Sequence, residues 1–435
     1  MVCRIQRAVA LSGFVAAALL LCAPCSAFAL ARHKRAADQS TPQVVVASQP
    51  PAFSIPVEAL GFYPPGAYYQ GQRESLVSLD FLDEDHLLFT FRAPGLIHRT
   101  QYGMDERRIR AVVLALPGGS VDAEALWTLH DTDRYLWMGK GGRFLLRDGD
   151  TLKEGDGTLQ LTPLLHFPGP LLWLQMDPTQ QYLVTDSLEP SATKSKAGDV
   201  GSPATAQASV SLDGDSEKDP QQDTVLRILE RDSGKVMLVS RVRSVVQLPI
   251  TADGYLEALP SADHQWVLNL NYFTGGGKVL ARLESTCQPP LTFLARNEAV
   301  ANICPAQGGR RLIAISTEGR RLWDAPCPPT QVWPLLVIAP DGSRIARETL
   351  SVSHPVDAYS PLSFDNVTGQ LVEVYDAAEG KRELLAPASP VLDGGGNVAI
   401  SPAGKRVAVL NAGAIQVYDL SASAAAAGAD THRQP

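Results

Sequence analysis

No excess of basic residues runs through this sequence. Lys and Arg number 38 against 46 Asp and Glu, for a formal net charge of -8. A nucleic-acid-binding chain shows the opposite balance, so that partner class is excluded. Nor is there an apolar run of the roughly twenty residues needed to span a bilayer. No stretch of ten or more residues keeps the i, i+3, i+4, i+7 apolar spacing of a surface helix. Regular alternation of strand and helix is missing too, which argues against a parallel α/β sheet. The sequence contains no G-x-S-x-G elbow, no H-E-x-x-H helix and no P-loop. Nothing in it implies a cofactor.

Cysteine is scarce. Of six, Cys3, Cys22 and Cys25 lie at the start of the chain, leaving Cys287, Cys304 and Cys327. Their spacing fits no C-x-x-C zinc pattern. Two readings stand, one disulfide or three free thiols; if one pair bridges, Cys287 with Cys304 is preferred and Cys327 is left as a thiol. All three are expected near the first-to-second and third-to-fourth strand turns at one end of a sheet.

The N-terminus has Arg4 and Arg7, then fifteen mostly apolar residues from Ala8 to Cys22, then Ala27-x-Ala29. This is the grammar of a secretory signal, with residues 1–29 removed and a periplasmic or secreted product. After cleavage no membrane span is expected. Residues 30–54 read as an extended leader. Residues 187–223 hold no aromatic and almost no large apolar residue. Such a stretch cannot offset its ordering entropy, so it reads as a disordered insertion. Residues 421–435 read as a flexible tail.

Between these lie short apolar runs rich in Val, Leu, Ile, Trp and Tyr, punctuated by Gly, Pro, Asp and Asn. That is all-β grammar. A repeat of turn, polar residues and apolar strand recurs, with anchors at Leu87, Leu145, Leu183, Val267, Leu312, Ile345 and Val407. Setting the insertion aside, the mean spacing is about 47 residues, the length of one four-stranded propeller blade. Individual intervals run from about 33 to about 62. Residues 55–420 are therefore expected to form a β-propeller of four-stranded blades, with seven favoured over six or eight. The last repeat runs out one strand short. Part of residues 43–60 is expected to supply that strand and close the ring, from either Val44–Ala47 or Phe53–Leu60.

Pro340-Asp341-Gly342-Ser343-Arg344-Ile345-Ala346 resembles the core of WD40-like and TolB-type propeller repeats. Ser401 to Ala408 is similar, with Ala403 in place of Asp, and Asp177-Pro178-Thr179 is a fainter echo. The G-H and W-D signatures of WD40 blades are missing. The resemblance implies a propeller and no particular activity.

Candidate binding residues follow from side-chain type. Phe62, Tyr63, Tyr68 and Tyr69 crowd the segment before the first blade, where rigid rings would suit a protein, peptide or carbohydrate partner. The six tryptophans read mainly as packing between blades. Asp148, Asp150, Asp156 and Asp83 to Asp85 are the acidic clusters nearest to a calcium site, but none completes a calcium loop. The histidines are scattered. The leading reading is a non-enzymatic, monomeric binding propeller. The alternative is a lactonase-like, metal-dependent hydrolase with its site in the central channel.

Overall fold

Short acidic turns start the strands. The Asp177 carboxylate accepts the backbone N–H groups of Thr179, Gln181 and Tyr182 at 2.7–2.8 Å. Asp341 accepts that of Ser343 at 2.9 Å, and Asp376 those of Ala378 and Glu379. Such Asx turns satisfy N–H groups that a reversing chain would leave unpaired. Gly342 and Gly404, at φ 76° and 65°, complete the PDGS and SPAG turns in a region that favours glycine. A Cβ on Gly404 would lie 2.1 Å from Ser343 Oγ, so the two turns pack directly on each other.

The computed structural model describes residues 46–64, 76–93, 98–99, 105–130, 134–190, 222–261, 265–307, 309–356 and 362–420. The signal segment, most of the leader and the tail lie outside the described residues. Seven antiparallel sheets follow one another along the chain. Blade 1 comprises Ser78–Phe81, His86–Arg92, Asp105–Ala115 and Ser120–Leu129, with His98–Arg99 paired onto its third strand. Blade 2 runs from Leu136–Met138 to Thr162–His166, and blade 3 from Leu171–Met176 to Val236–Val242. Blade 5 spans Leu291–Ala295 to Arg321–Pro326, and blade 6 Gln331–Ile338 to Arg382–Ala388. Among the described residues no helix is long and apolar enough to cross a membrane.

Each sheet buries both faces, so its strands read as continuous apolar runs. In His86–Arg92, Leu87, Phe89 and Phe91 face blade 7 while Leu88 faces blade 2. Seven apolar seams result, one for each pair of neighbouring blades. First strands of adjoining blades touch one another, as Ser78–Phe81 does with Leu136–Met138 and Val398–Ile400. This is a seven-bladed β-propeller.

Blade 7 has only Val398–Ile400, Arg406–Asn411 and Ala414–Asp419 from the end of the chain. Phe53–Pro56 adds the fourth strand, antiparallel, with Phe53 opposite Val417 and Pro56 opposite Ala414. Of the two candidate stretches, the one containing Pro56 forms the strand. Proline ends it, where its missing N–H costs little. Ile55 and Val57 sink into the seam between blades 7 and 1. Upstream, Ser48 exchanges hydrogen bonds with Leu385 of blade 6 at 2.8 and 3.0 Å. The N-terminal segment therefore straps two blades, and the leader ends earlier than residue 54.

Two more boundaries move. Residues 187–190 end the strand Tyr182–Pro190, and Gln222–Asp223 begin Gln222–Glu230. These residues pair across the hairpin, and Ser187 and Glu189 are buried against Arg227. Residues 191–221 lie outside the described set. Among the described residues blade 4, in turn, has three strands rather than four: Gly254–Pro260, Gln265–Tyr272 and Gly277–Glu284. Only six residues separate Glu284 from blade 5, and Pro289 and Pro290 among them cannot donate to a ladder.

The repeat anchors fall on second strands in six blades. Leu312 instead lies on Arg311–Ser316, the third strand of blade 5. The hairpin Leu291–Ala295 to Glu298–Ile303 carries no Gly or Pro turn to announce it. This shift by one strand moves the cysteines to the other end of blade 5. Cys287 precedes its first strand, Cys304 follows its second and Cys327 follows its fourth. The Cys287 and Cys304 sulfurs are bonded, with Cα atoms 5.6 Å apart, and Cys327 is a buried thiol.

Two predictions follow from the seams. Ile55→Ala should cost about 2–5 kcal/mol, as for other buried aliphatic truncations. A chain begun at Glu58 should be less stable still and should associate through the open edge. A monomeric truncation with an unchanged melting temperature would refute strand closure. The Cys287–Cys304 bond closes a 17-residue separation. Replacing both with serine should cost about 3 kcal/mol in the chain-entropy model. Peptide mapping without reductant should recover the linked pair, and free thiols at both positions would count against it.

Candidate functional site

The aromatic cluster divides. Phe62 is 4% exposed and packs edge-on against Phe89 and Phe91, with centroids 5.3 and 5.4 Å away. It follows directly on the closing strand and fills the seam between blades 7 and 1, so it faces no partner. Tyr63 is 65% exposed. Tyr68 and Tyr69 lie outside the described residues. Two tryptophans bridge blades: Trp127 Nε1 donates to Leu159 O at 3.2 Å, and Trp323 Nε1 to Ala377 O at 2.6 Å.

The acidic clusters serve turns and ion pairs. Burial would push the Asp148 carboxyl up, but Lys153 and His130, both in hydrogen-bond contact, outweigh it and hold it below the usual range. Asp156 accepts the N–H and hydroxyl of Thr158, and Asp83 accepts the N–H of Asp85. Among the described residues, no three His, Cys, Asp or Glu side chains come together as a metal cluster. Asp83 also contacts His86 and raises the imidazole pKa, chiefly through that hydrogen bond.

The seams hold charges that the linear sequence does not announce. Arg347 is buried on the face of blade 6 toward blade 5. Its Nη2 donates to Glu373 Oε2 at 2.5 Å, Tyr375 Oη at 2.6 Å and Pro326 O at 3.1 Å. The next residue, Glu348, points the other way and is 1% exposed. Gln370 Nε2 donates to Glu348 Oε1 at 2.7 Å and to Leu392 O at 2.8 Å. Gln370 Oε1 accepts Leu392 N and Asn397 Nδ2. An apolar strand pattern interrupted by Arg-Glu-Thr was the only sequence signal of this hub. Oε2 of Glu348 meets no donor among the described residues. Burial pushes this carboxyl up to about 8, against the opposing Gln370 hydrogen bond.

Asp186 repeats the arrangement between blades 3 and 4. It accepts Val246 N at 2.9 Å, and burial raises it to about 7. Asp80, on the first strand of blade 1, is raised by burial to about 6 despite the Ser78 hydroxyl at 2.6 Å. A cleft of about 730 Å³ lies beneath the N-terminal strap, between Gln49, Pro51, Pro387, Gln416 and Tyr418.

No family model and no curated protein matches this sequence. Solved structures do. Acylaminoacyl peptidase from Pyrococcus horikoshii matches at 10% identity and a TM-score of 0.46, over 78% of this chain and 49% of its own. The C-terminal WD40 domain of Sif2 matches at 11% identity and 0.40, over 79% and 95%. A TolB-type protein from Agrobacterium tumefaciens matches at 11% and 0.37, over 65% and 90%. The likeness is one of fold. The chain spans about half the length of the peptidase.

The raised carboxyls set a pH dependence. Folded Glu348 keeps its proton up to about 8, whereas the unfolded chain releases it near the ordinary 4.5. The folded state therefore holds more protons between these values, and stability falls as pH rises through that window. Asp186 and Asp80 act in the same direction over narrower windows. One such group contributes at most about 1.4 kcal/mol per pH unit. Melting temperature should decline from pH 5 to 8, and Glu348→Gln should flatten the decline. An equal slope in the variant would show that Glu348 is ionised in the fold.

Proposed function

We propose that this protein is a non-enzymatic binding propeller of the cell envelope or exterior, engaging a protein partner through the rim of blades 3 and 4. The carrying observation is the exposure of several apolar residues on the outer strands of these two blades. Val236, Met237 and Val239 on blade 3, Val245 in the link, and Val279 on blade 4 are all exposed, Val239 and Val279 at 56%. Three exposed apolar residues on the one strand Val236–Val242 mark an interaction site, where isolated ones need no explanation. The buried charges support the same reading, because their hydrogen bonds are spent inside the ring: Arg347 on Glu373 of its own blade and Pro326 O of blade 5, and Gln370 on Leu392 O in the link to blade 7.

Export is supported by the basic start, the apolar run and the Ala27-x-Ala29 cleavage pattern. The Cys287–Cys304 bond suits an oxidising compartment. The test is capture from an envelope fraction with the chain from Leu30 as bait, beside a folded Met237→Glu/Val239→Glu variant. A partner held by the first and lost by the second is expected. Identical captured sets would overturn the rim assignment. Intact Met1 on extracytoplasmic protein would overturn signal cleavage, and confinement of the protein to the cytoplasm would overturn the export reading.

A further inference from the structure

We infer that the open edge of blade 4 takes an extended, acidic segment of a partner protein as its missing outer strand. This rests on the binding reading above and names the mode and chemistry of that contact. Among the described residues, Gly277–Glu284 is paired on one side only, with Gln265–Tyr272. The following link does not return along the open side. Thr286 N donates to Cys304 O at 2.8 Å and Asn302 N to Pro290 O at 3.0 Å, so the link is held on blade 5. The backbone groups on the outer side of Gly277–Glu284 thus form a ready template for another strand.

The recess favours a single extended chain. Blades 3 and 5 both have fourth strands, Val236–Val242 and Arg321–Pro326. Blade 4 is therefore shallower than both neighbours by one strand spacing, about 4.8 Å. The rim of a second copy would meet blades 3 and 5 before reaching the recess. A lone strand would not, and blade 7 shows the geometry. There Phe53–Pro56, remote in sequence, completes the sheet in antiparallel register.

Side chains specify the occupant. Lys278, Val279, Arg282 and Glu284 are exposed on the vacant strand, and Arg243 is exposed nearby in the blade 3–4 link. Glu284 already accepts Gln265 Nε2 at 3.3 Å, and Glu318 in a turn of blade 5 lies close enough to Lys278 to feel its charge, which leaves Arg282 and Arg243 in excess. The edge is thus locally basic in a chain of net charge -8. Its register shifts between Leu268 and Asn269, with Leu280 as the extra residue opposite. A bulge and an edge lysine discourage indiscriminate pairing. A strand with carboxylates opposite Lys278 and Arg282 and an apolar side chain over Val279 would offset both.

The test selects a displayed library of random ten-residue peptides on the full mature chain, then maps hydrogen exchange with the best synthetic binder. The expected peptides combine acidic with apolar or β-branched residues and slow exchange across 277–284. A proline at the centre of the binder should abolish binding, because it removes a ladder donor. Lys278→Glu/Arg282→Glu should weaken binding about fivefold or more, with most of the difference lost at high salt. Binders that protect Val236–Val242 but not 277–284 would overturn strand addition while leaving the rim reading intact. Failure to enrich any sequence would overturn it too. So would protection of 277–284 in the free protein that disappears on dilution, which means a second copy, or on deletion of 191–221, which means the chain itself.

Discussion

Every sheet in this ring is apolar on both faces, and neither face can be hidden by its own strands. Each blade needs a neighbour on both sides. Leu87, Phe89 and Phe91 serve one seam and Leu88 the other from a single strand. The requirement has no end until the last blade meets the first. That is why Phe53–Pro56 matters beyond its length. It covers the edge of Ala414–Asp419 and carries Ile55 and Val57 into the seam where the two ends of the ring join. The strap through Ser48 to Leu385 extends the closure to blade 6.

The same enclosure explains the odd chemistry inside. A charge placed in a seam loses water on all sides and must find partners there. Arg347 finds Glu373, Tyr375 and a carbonyl of blade 5, so it binds two blades together. Glu348 meets no cation among the described residues, and burial, which makes the carboxylate costly, raises its pKa to about 8 instead. Gln370, donating and accepting at once, ties it to the loop that leads into blade 7. These groups resemble a site in composition, yet their hydrogen bonds are spent on the architecture.

Where the seams are complete, the rim is free to vary. Blade 4 dispenses with its outer strand because its apolar contacts to blade 5 come from Leu256, Leu268, Leu270, Leu280 and Leu283 on the three strands it has. The outermost strand of a blade adds least to the seams and most to the surface, as the exposed Val236–Val242 shows. Variation there changes what the protein presents without opening its core.

By itself the sequence determined the all-β class, the blade length and the need for a closing strand from the N-terminal segment, while the structure chose Phe53–Pro56 over Val44–Ala47. Turn chemistry and apolar runs are local, and they stand at Asp177, Asp341 and Gly404 as the residues alone indicate. Local signals failed where the chain turned without Gly or Pro, at the hairpin before Glu298. One unmarked turn there shifted the strand count and moved Cys304 to the opposite end of its blade. Tertiary structure alone decided which faces meet. Phe62 reads as an exposed ring until the closing strand carries it under Phe89, and Glu348 as a solvated acid until blade 7 covers it. Those outcomes depend on contacts between residues far apart in the chain, and local spacing holds no record of them.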